Sequence, residues 1–205
     1  MIKAVFFDLD GVLTTDADDL TSTSRWVCGQ TGIDKAVFET EYDKLSDGLY
    51  LGTCSHLDIW ETLCQRLGRR LNFSLLEQAF LHTPIDTKTE ALAAQLKQNG
   101  YQTGIITVNA NDRTELLATQ HSWKRLFDSI TVSASVGSGK TFSTIFEKAV
   151  ESLHVSPEEC FFIDNREKNL VVPNRMGMHT FYFDSTLRDH AALRQALAAL
   201  SVKLT

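Results

Sequence analysis

Lys3-Ala4-Val5-Phe6-Phe7-Asp8-Leu9-Asp10-Gly11-Val12-Leu13 is an apolar run that ends in two acids and a glycine. The run is short, rich in β-forming residues and followed at once by Gly11. It therefore reads as a buried strand rather than a helix. A strand that is apolar on both faces belongs in a parallel sheet covered by helices.

The same signal recurs downstream. Residues 101–108, 129–133, 160–163 and 179–183 are further short apolar runs, and the run at 160–163 again meets an acid, Asp164. Segments of helical period separate or follow them: 87–98, closing at Gly100, then 113–121, 142–153, 167–176 and 184–200. In 142–153 the apolar residues Phe142, Ile145, Phe146, Ala149 and Val150 fall on one stripe. Alternation of this kind predicts right-handed βαβ units and an α/β fold, a parallel sheet layered between helices.

Residues 15–84 break the alternation. They carry helical signals at 34–45, 55–67 (with Ser55 as N-cap and Gly68 as stop) and 74–80, and no convincing strand. The expected organisation is a core of residues 1–14 and 85–205 with a helical module, 15–84, inserted after the first strand.

Composition narrows the function classes. The chain has 205 residues, 43% apolar and 22% charged, with a formal net charge of −6. This is the mix of a globular protein, not of a collagen, a mucin-like stalk or a disordered chain. The acidic balance offers no broad basic face for nucleic acid. No apolar run approaches the roughly 20 residues of a membrane helix, and no secretory signal is visible. Cys28, Cys54, Cys64 and Cys160 form no C-x-x-C pair and fit no zinc template. Reduced thiols in a cytoplasmic protein are expected.

In a sheet of this kind the ligand site lies beyond the carboxyl ends of the strands. The first strand delivers Asp8 and Asp10 there, and the second delivers Thr107 and then Asn109. Lys140 follows the third strand, and the fourth brings Asp164 with Asn165. Each has a use if the ligand is a phosphate ester held with magnesium. Carboxylates and carbonyls are the hard oxygen donors this ion prefers. A carboxylate can take the phosphoryl group, and a second acid can protonate the leaving oxygen. A hydroxyl and an ammonium can hold the transferring oxygens.

Phe6-Phe7-Asp8-Leu9-Asp10-Gly11-Val12-Leu13 resembles the first motif of the haloacid dehalogenase (HAD) superfamily. Thr107 resembles the second motif, Lys140 the third and Phe161-Phe162-Ile163-Asp164-Asn165 the acidic fourth. Order and spacing match over nearly the whole chain. The resemblance implies a three-layer Rossmann-like core, with 15–84 as a small helical (C1-type) cap. It implies a magnesium-dependent phosphatase acting on a small phosphorylated metabolite through an aspartyl-phosphate. Asp8 would be the nucleophile and a metal ligand. Asp10 would be the general acid/base and bind the metal through its backbone carbonyl. Thr107, Lys140 and Asn109 would hold the phosphate, and Asp164 and Asn165 would complete the metal shell. Halide-displacing members resemble this pattern without the second aspartate, so Asp10 favours phosphoryl transfer.

Two departures stand out. Asn165 replaces a common second acid, and an amide ligates magnesium without adding charge, which leaves Asp164 to bind directly or through water. Thr141 replaces a common proline. The alternative reading, kept by Asn165, is a weakly active or inactive relative that binds a phosphorylated ligand or a protein partner. Residues 134–141, A-S-V-G-S-G-K-T, fit a relaxed P-loop, but too little chain follows for a nucleotide-binding core. No histidine spacing suggests a metal site. Trp26, Tyr42, Tyr50 and Trp60 read as the core of the helical module, with a substrate face as the other reading.

Overall fold

The computed structural model describes residues 1–204. Five strands, β1 (Ala4–Phe7), β2 (Gln102–Thr107), β3 (Ser129–Val132), β4 (Cys160–Asp164) and β5 (His179–Tyr182), form one sheet in the order β3-β2-β1-β4-β5. All pairings are parallel, and Ala4 lies between Gln102 and Cys160. Side chains alternate across the central strand. Val5 and Phe7 join one apolar cluster, Ala4 and Phe6 another.

Helices cover both clusters. On the first face lie α5 (Thr87–Gln98), α6 (Asn111–Gln120), the short α7 (Trp123–Leu126) and α11 (His190–Ala199), supplying Leu92, Leu96, Leu117, Trp123 and Leu193. On the second face lie α9 (Thr144–Ser152), with Ile145, Phe146 and Ala149, and α10 (Glu167–Arg175). A single turn, α8 (Ser133–Val136), follows β3. This is the expected α/β architecture in three layers.

Four helices lie between β1 and α5: α1 (Asp19–Thr31), α2 (Lys35–Leu51), α3 (His56–Arg66) and α4 (Ser74–Leu81). They share a cluster of buried residues that includes Val27, Phe38, Tyr42, Trp60, Leu63 and Phe80. Burying each such large side chain contributes about 1.5–3 kcal/mol. Ser55 caps α3 in a reciprocal capping box with Asp58. The chain enters and leaves this group side by side. Thr14 bridges Ile85, Asp86 N donates to Leu13 O at 2.8 Å, and Thr15 N donates to Pro84 O at 2.9 Å.

Several contacts fasten the helices to the sheet layer, three of them around α8 and α6. Ser133 Oγ donates to Tyr50 O at 2.7 Å. Gly52, at φ 74°, comes so close to α8 that a Cβ there would meet Ala134 O at 1.9 Å. Asp112, near the start of α6, accepts from His56 N at 3.0 Å and from His56 Nδ1 at 2.7 Å. The carboxylate can only accept, so Nδ1 carries the proton, and Nε2 meets the Tyr42 hydroxyl at 2.7 Å.

Candidate active site

At the end of β1 the chain turns out of the sheet through Leu9–Leu13, one wide helical turn broken at Asp10 and at Gly11. Gly11 sits at φ 81°, the left-handed region that glycine tolerates without cost. A Cβ there would collide with Asn165 Nδ2 at 2.1 Å. The glycine thus permits both the turn and the approach of β4's following residue.

The strand ends meet as the topology requires. Lys140 Nζ sits 2.6 Å from Asp8 Oδ1 and 2.7 Å from Asp164 Oδ2, and all three side chains are buried. Asp8 Oδ1 also accepts from Leu9 N at 2.7 Å. Burial, and then the negative charge of Asp164, push the Asp8 carboxyl up to about 8 against the pull of Lys140. Burial would favour the neutral amine of Lys140, but the carboxylates of Asp164 and Asp8 outweigh it and hold the ammonium above its ordinary range.

A cavity of about 380 Å³ opens over this cluster. Asp8, Asp10, Thr107, Lys140 and Asn165 line it from the sheet side, and Asp18, Asp19, Asp43 and Tyr50 from the helical group. Of the four aromatics flagged in the sequence, only Tyr50 lines it. Its hydroxyl donates to Asp19 at 2.9 Å, whereas Tyr42 and Trp60 are buried in the helical group.

Two expected site residues have other neighbours. Asn109 was expected among the phosphate-binding groups. Instead its side chain is fully buried, with Nδ2 donating to Asp10 Oδ2 at 2.8 Å and Oδ1 accepting from Ala110 N at 3.0 Å. Its polar atoms are engaged inside the protein, which makes it a support for Asp10. Asp164 is wholly enclosed. Besides Lys140 it accepts from Arg166 N at 2.8 Å and from Asn169 Nδ2 at 3.0 and 3.2 Å. It is Asn165, not Asp164, that faces the cavity.

Arg113 joins the site although it belongs to none of the strand-end motifs. It is fully buried and forms two parallel bonds with Asp10, Nη1 to Oδ2 at 2.9 Å and Nη2 to Oδ1 at 2.8 Å. It shares the inward stripe of α6 with Thr114, Leu117 and Ala118. A charged residue on an apolar helical stripe is the signal that could have found it.

Among the described residues no group of three or more His, Cys, Asp or Glu side chains is arranged as a metal cluster. The residues present nevertheless fit magnesium. Asn165 Nδ2 donates to Ala17 O at 3.0 Å, while its Oδ1 is buried without a hydrogen-bond partner. With the Asp8 carboxylate beside the same cavity, this orphaned acceptor belongs to a set of hard oxygen donors. Residues 134–141 do not behave as a P-loop, because Lys140 is engaged with Asp8 and Asp164. No helix is long and apolar enough to cross a membrane among the described residues.

Known proteins resemble this chain in sequence and in fold. The chain is 26% identical over 194 residues to the glyceraldehyde 3-phosphate phosphatase of Pyrococcus furiosus, covering 89% of this chain and 80% of that protein. It is 28% identical over 136 residues to mouse acyl-CoA dehydrogenase family member 10, a match over 64% of this chain that spans 12% of the longer mouse protein. A HAD family enzyme of Bacteroides thetaiotaomicron, solved with magnesium and inorganic phosphate, superposes with a TM-score of 0.75 at 19% identity, covering 94% of this chain and 99% of that one. The sequence profile of the haloacid dehalogenase-like hydrolases matches residues 2–172, a span that holds every strand end of the site, and the chain belongs to that family.

Proposed function

We propose that the protein is a magnesium-dependent phosphatase that hydrolyses a small phosphorylated metabolite through an aspartyl-phosphate on Asp8. One observation carries this reading. A buried carboxylate, Asp8, and a buried ammonium, Lys140, are in contact at the floor of a cavity that Thr107 and Asp10 also line. That is a nucleophile, a phosphate-holding cation, a hydroxyl and a second acid within one enclosure. The phosphatase named among its relatives and the neighbour solved with magnesium and phosphate support the same chemistry.

The substrate's phosphoryl oxygens would displace part of the Asp8 contact on Lys140 and accept from the Thr107 hydroxyl. Asp8 would attack phosphorus while Asp10 gives a proton to the leaving oxygen. Asp10 would then take a proton from the water that releases the phosphate. Magnesium, held by Asp8, the Asp10 carbonyl and Asn165, would neutralise charge on the transferring group. Residues 15–84 serve as the cap: their helices wall the cavity, exclude bulk water and present Tyr50 and Asp19 to the leaving group.

The test is hydrolysis of p-nitrophenyl phosphate with and without magnesium, with Asp8→Asn as control. Magnesium-dependent turnover that disappears in the variant is the expected result. No turnover above the control across a broad panel of phosphate esters would sink the reading and leave a phosphate-binding relative without activity.

A further inference from the structure

The carboxylate of Asp10 is not equally available at its two oxygens. Oδ2 accepts from Arg113 Nη1 at 2.9 Å and from Asn109 Nδ2 at 2.8 Å. A carboxylate oxygen has about two lone-pair positions, so Oδ2 is filled. Oδ1 accepts from Arg113 Nη2 at 2.8 Å, and its second contact, from Thr14 Oγ1, is long at 3.4 Å. Oδ1 is the oxygen with room for another partner.

Arg113 is placed to keep it so. The guanidinium is a rigid fork, and two parallel bonds fix both the position and the plane of the carboxylate. It is wholly buried, and the ring of Phe80, from the helical group, lies 6.0 Å from its centre. Its neighbour Asp112 grips His56 at the start of α3. Seating of the helical group and orientation of Asp10 thus depend on the same turn of α6.

Resting on the phosphatase reading, we propose that Arg113 is a positioning residue. It fixes Asp10 so that Oδ1 exchanges the proton and Oδ2 stays out of the exchange. In the first half-reaction the bond from phosphorus to the leaving oxygen breaks as the bond to Asp8 forms, and the proton on Oδ1 passes to the leaving oxygen. In the second, a water oxygen bonds to phosphorus, its proton returns to Oδ1, and the Asp8 carboxylate is released. The long Thr14 contact yields in both, while Arg113 stays in place.

The experiment compares two leaving groups of similar shape, p-nitrophenyl phosphate and phenyl phosphate, in wild type, Arg113→Met and Arg113→Lys, with magnesium present. The p-nitrophenolate leaves with little help, whereas the more basic phenolate needs the proton. In Arg113→Met, kcat/KM, which reports the steps through departure of the leaving group, falls by about 100-fold or more for phenyl phosphate and by under about 10-fold for p-nitrophenyl phosphate. Arg113→Lys restores part of the phenyl phosphate rate and carries the test if the methionine variant does not fold. Equal losses of kcat/KM for the two esters overturn the proposal while wild-type turnover keeps the phosphatase reading. Absence of wild-type turnover on both esters overturns the two together.

Discussion

Lys140 Nζ lies 2.6 Å from Asp8 Oδ1, and neither side chain has more than a sliver of surface in solvent. The lysine also meets Asp164, so one ammonium sits between two buried carboxyl groups. Lys140→Met leaves both without a cation. Removing one partner of such a buried arrangement costs about 3–5 kcal/mol, and urea denaturation at neutral pH should show a loss of that order. Magnesium should recover more stability in the variant than in wild type, because a dication replaces the missing charge. An unchanged denaturation midpoint without magnesium would mean that the ion pair contributes nothing net.

Gly11→Ala tests the turn. The substitution puts a side chain at φ 81° and drives Cβ into the Asn165 amide. Strain at a left-handed position costs on the order of 1 kcal/mol or more before the clash is counted. Thermal melting should show the destabilisation, and turnover should fall more than stability alone explains because Asn165 is displaced. Full activity in the alanine variant would show that Asn165 is free to move without consequence.

Asn165→Asp tests the departure at the fourth motif. The amide oxygen is already buried and unpartnered, so a carboxylate in its place adds charge to a donor that is in position. Magnesium affinity should rise about tenfold, equivalent to about 1.4 kcal/mol. Calorimetric titration of wild type and variant decides it. Equal affinities would remove Asn165 from the metal shell.

Asp86 supplies a pH test away from the cavity. It caps α5 through Lys88 N and Thr89 N, and it accepts from Arg188 Nε at 2.7 Å and His190 Nε2 at 3.0 Å. Burial would raise its carboxyl, but the hydrogen bonds, led by Arg188, outweigh burial and hold it below the ordinary value of 3.8. A depressed carboxyl stabilises the fold above its unfolded value, and that contribution fades as pH falls through the folded value. Asp86→Asn keeps the cap and removes the charge. It should cost about 2 kcal/mol at pH 7, with the gap to wild type closing below about pH 4. A gap that stays constant to pH 2 would show that charge is not the stabilising element. Arg188 also donates to Gly11 O at 3.0 Å and Val12 O at 2.9 Å, so the same variant should loosen the turn after β1.

Much of the architecture is legible in the residues because strand runs, caps and stops agree locally. The helix read at 87–98 is α5, and Ser55 is the cap of α3. Failures have local causes too. The helix expected over 184–200 begins only at His190, because Asp184 Oδ1 accepts from Thr186 N and Leu187 N in a side-chain turn and Arg188 takes φ 47°. α1 is poor in helix formers, with Thr21, Ser22, Thr23 and Ser24 in succession, and its cap on Asp18 and burial of Val27 make it a helix. At the site, the ends of β1 and β2 place Asp8 and Thr107, whereas Lys140 reaches Asp8 from the loop after α8. The roles of Asn109 and Arg113 depend on which way buried polar side chains turn, and no spacing in the chain reports that.

The bridge between Thr14 and Ile85 bears on how the chain assembles. β1 pairs with β2 across the whole helical group, Ala4 opposite Gln102, and closing so long a loop is entropically slow. Four helices with their own apolar cluster can form from nearby contacts, and their incoming and outgoing segments then lie hydrogen-bonded side by side. Folding first, they would shorten the link between the central strands to the crossover through α5. The inserted segment thereby changes from an obstacle between β1 and β2 into the splint that aligns them, and mutations in its cluster should slow refolding of the sheet itself.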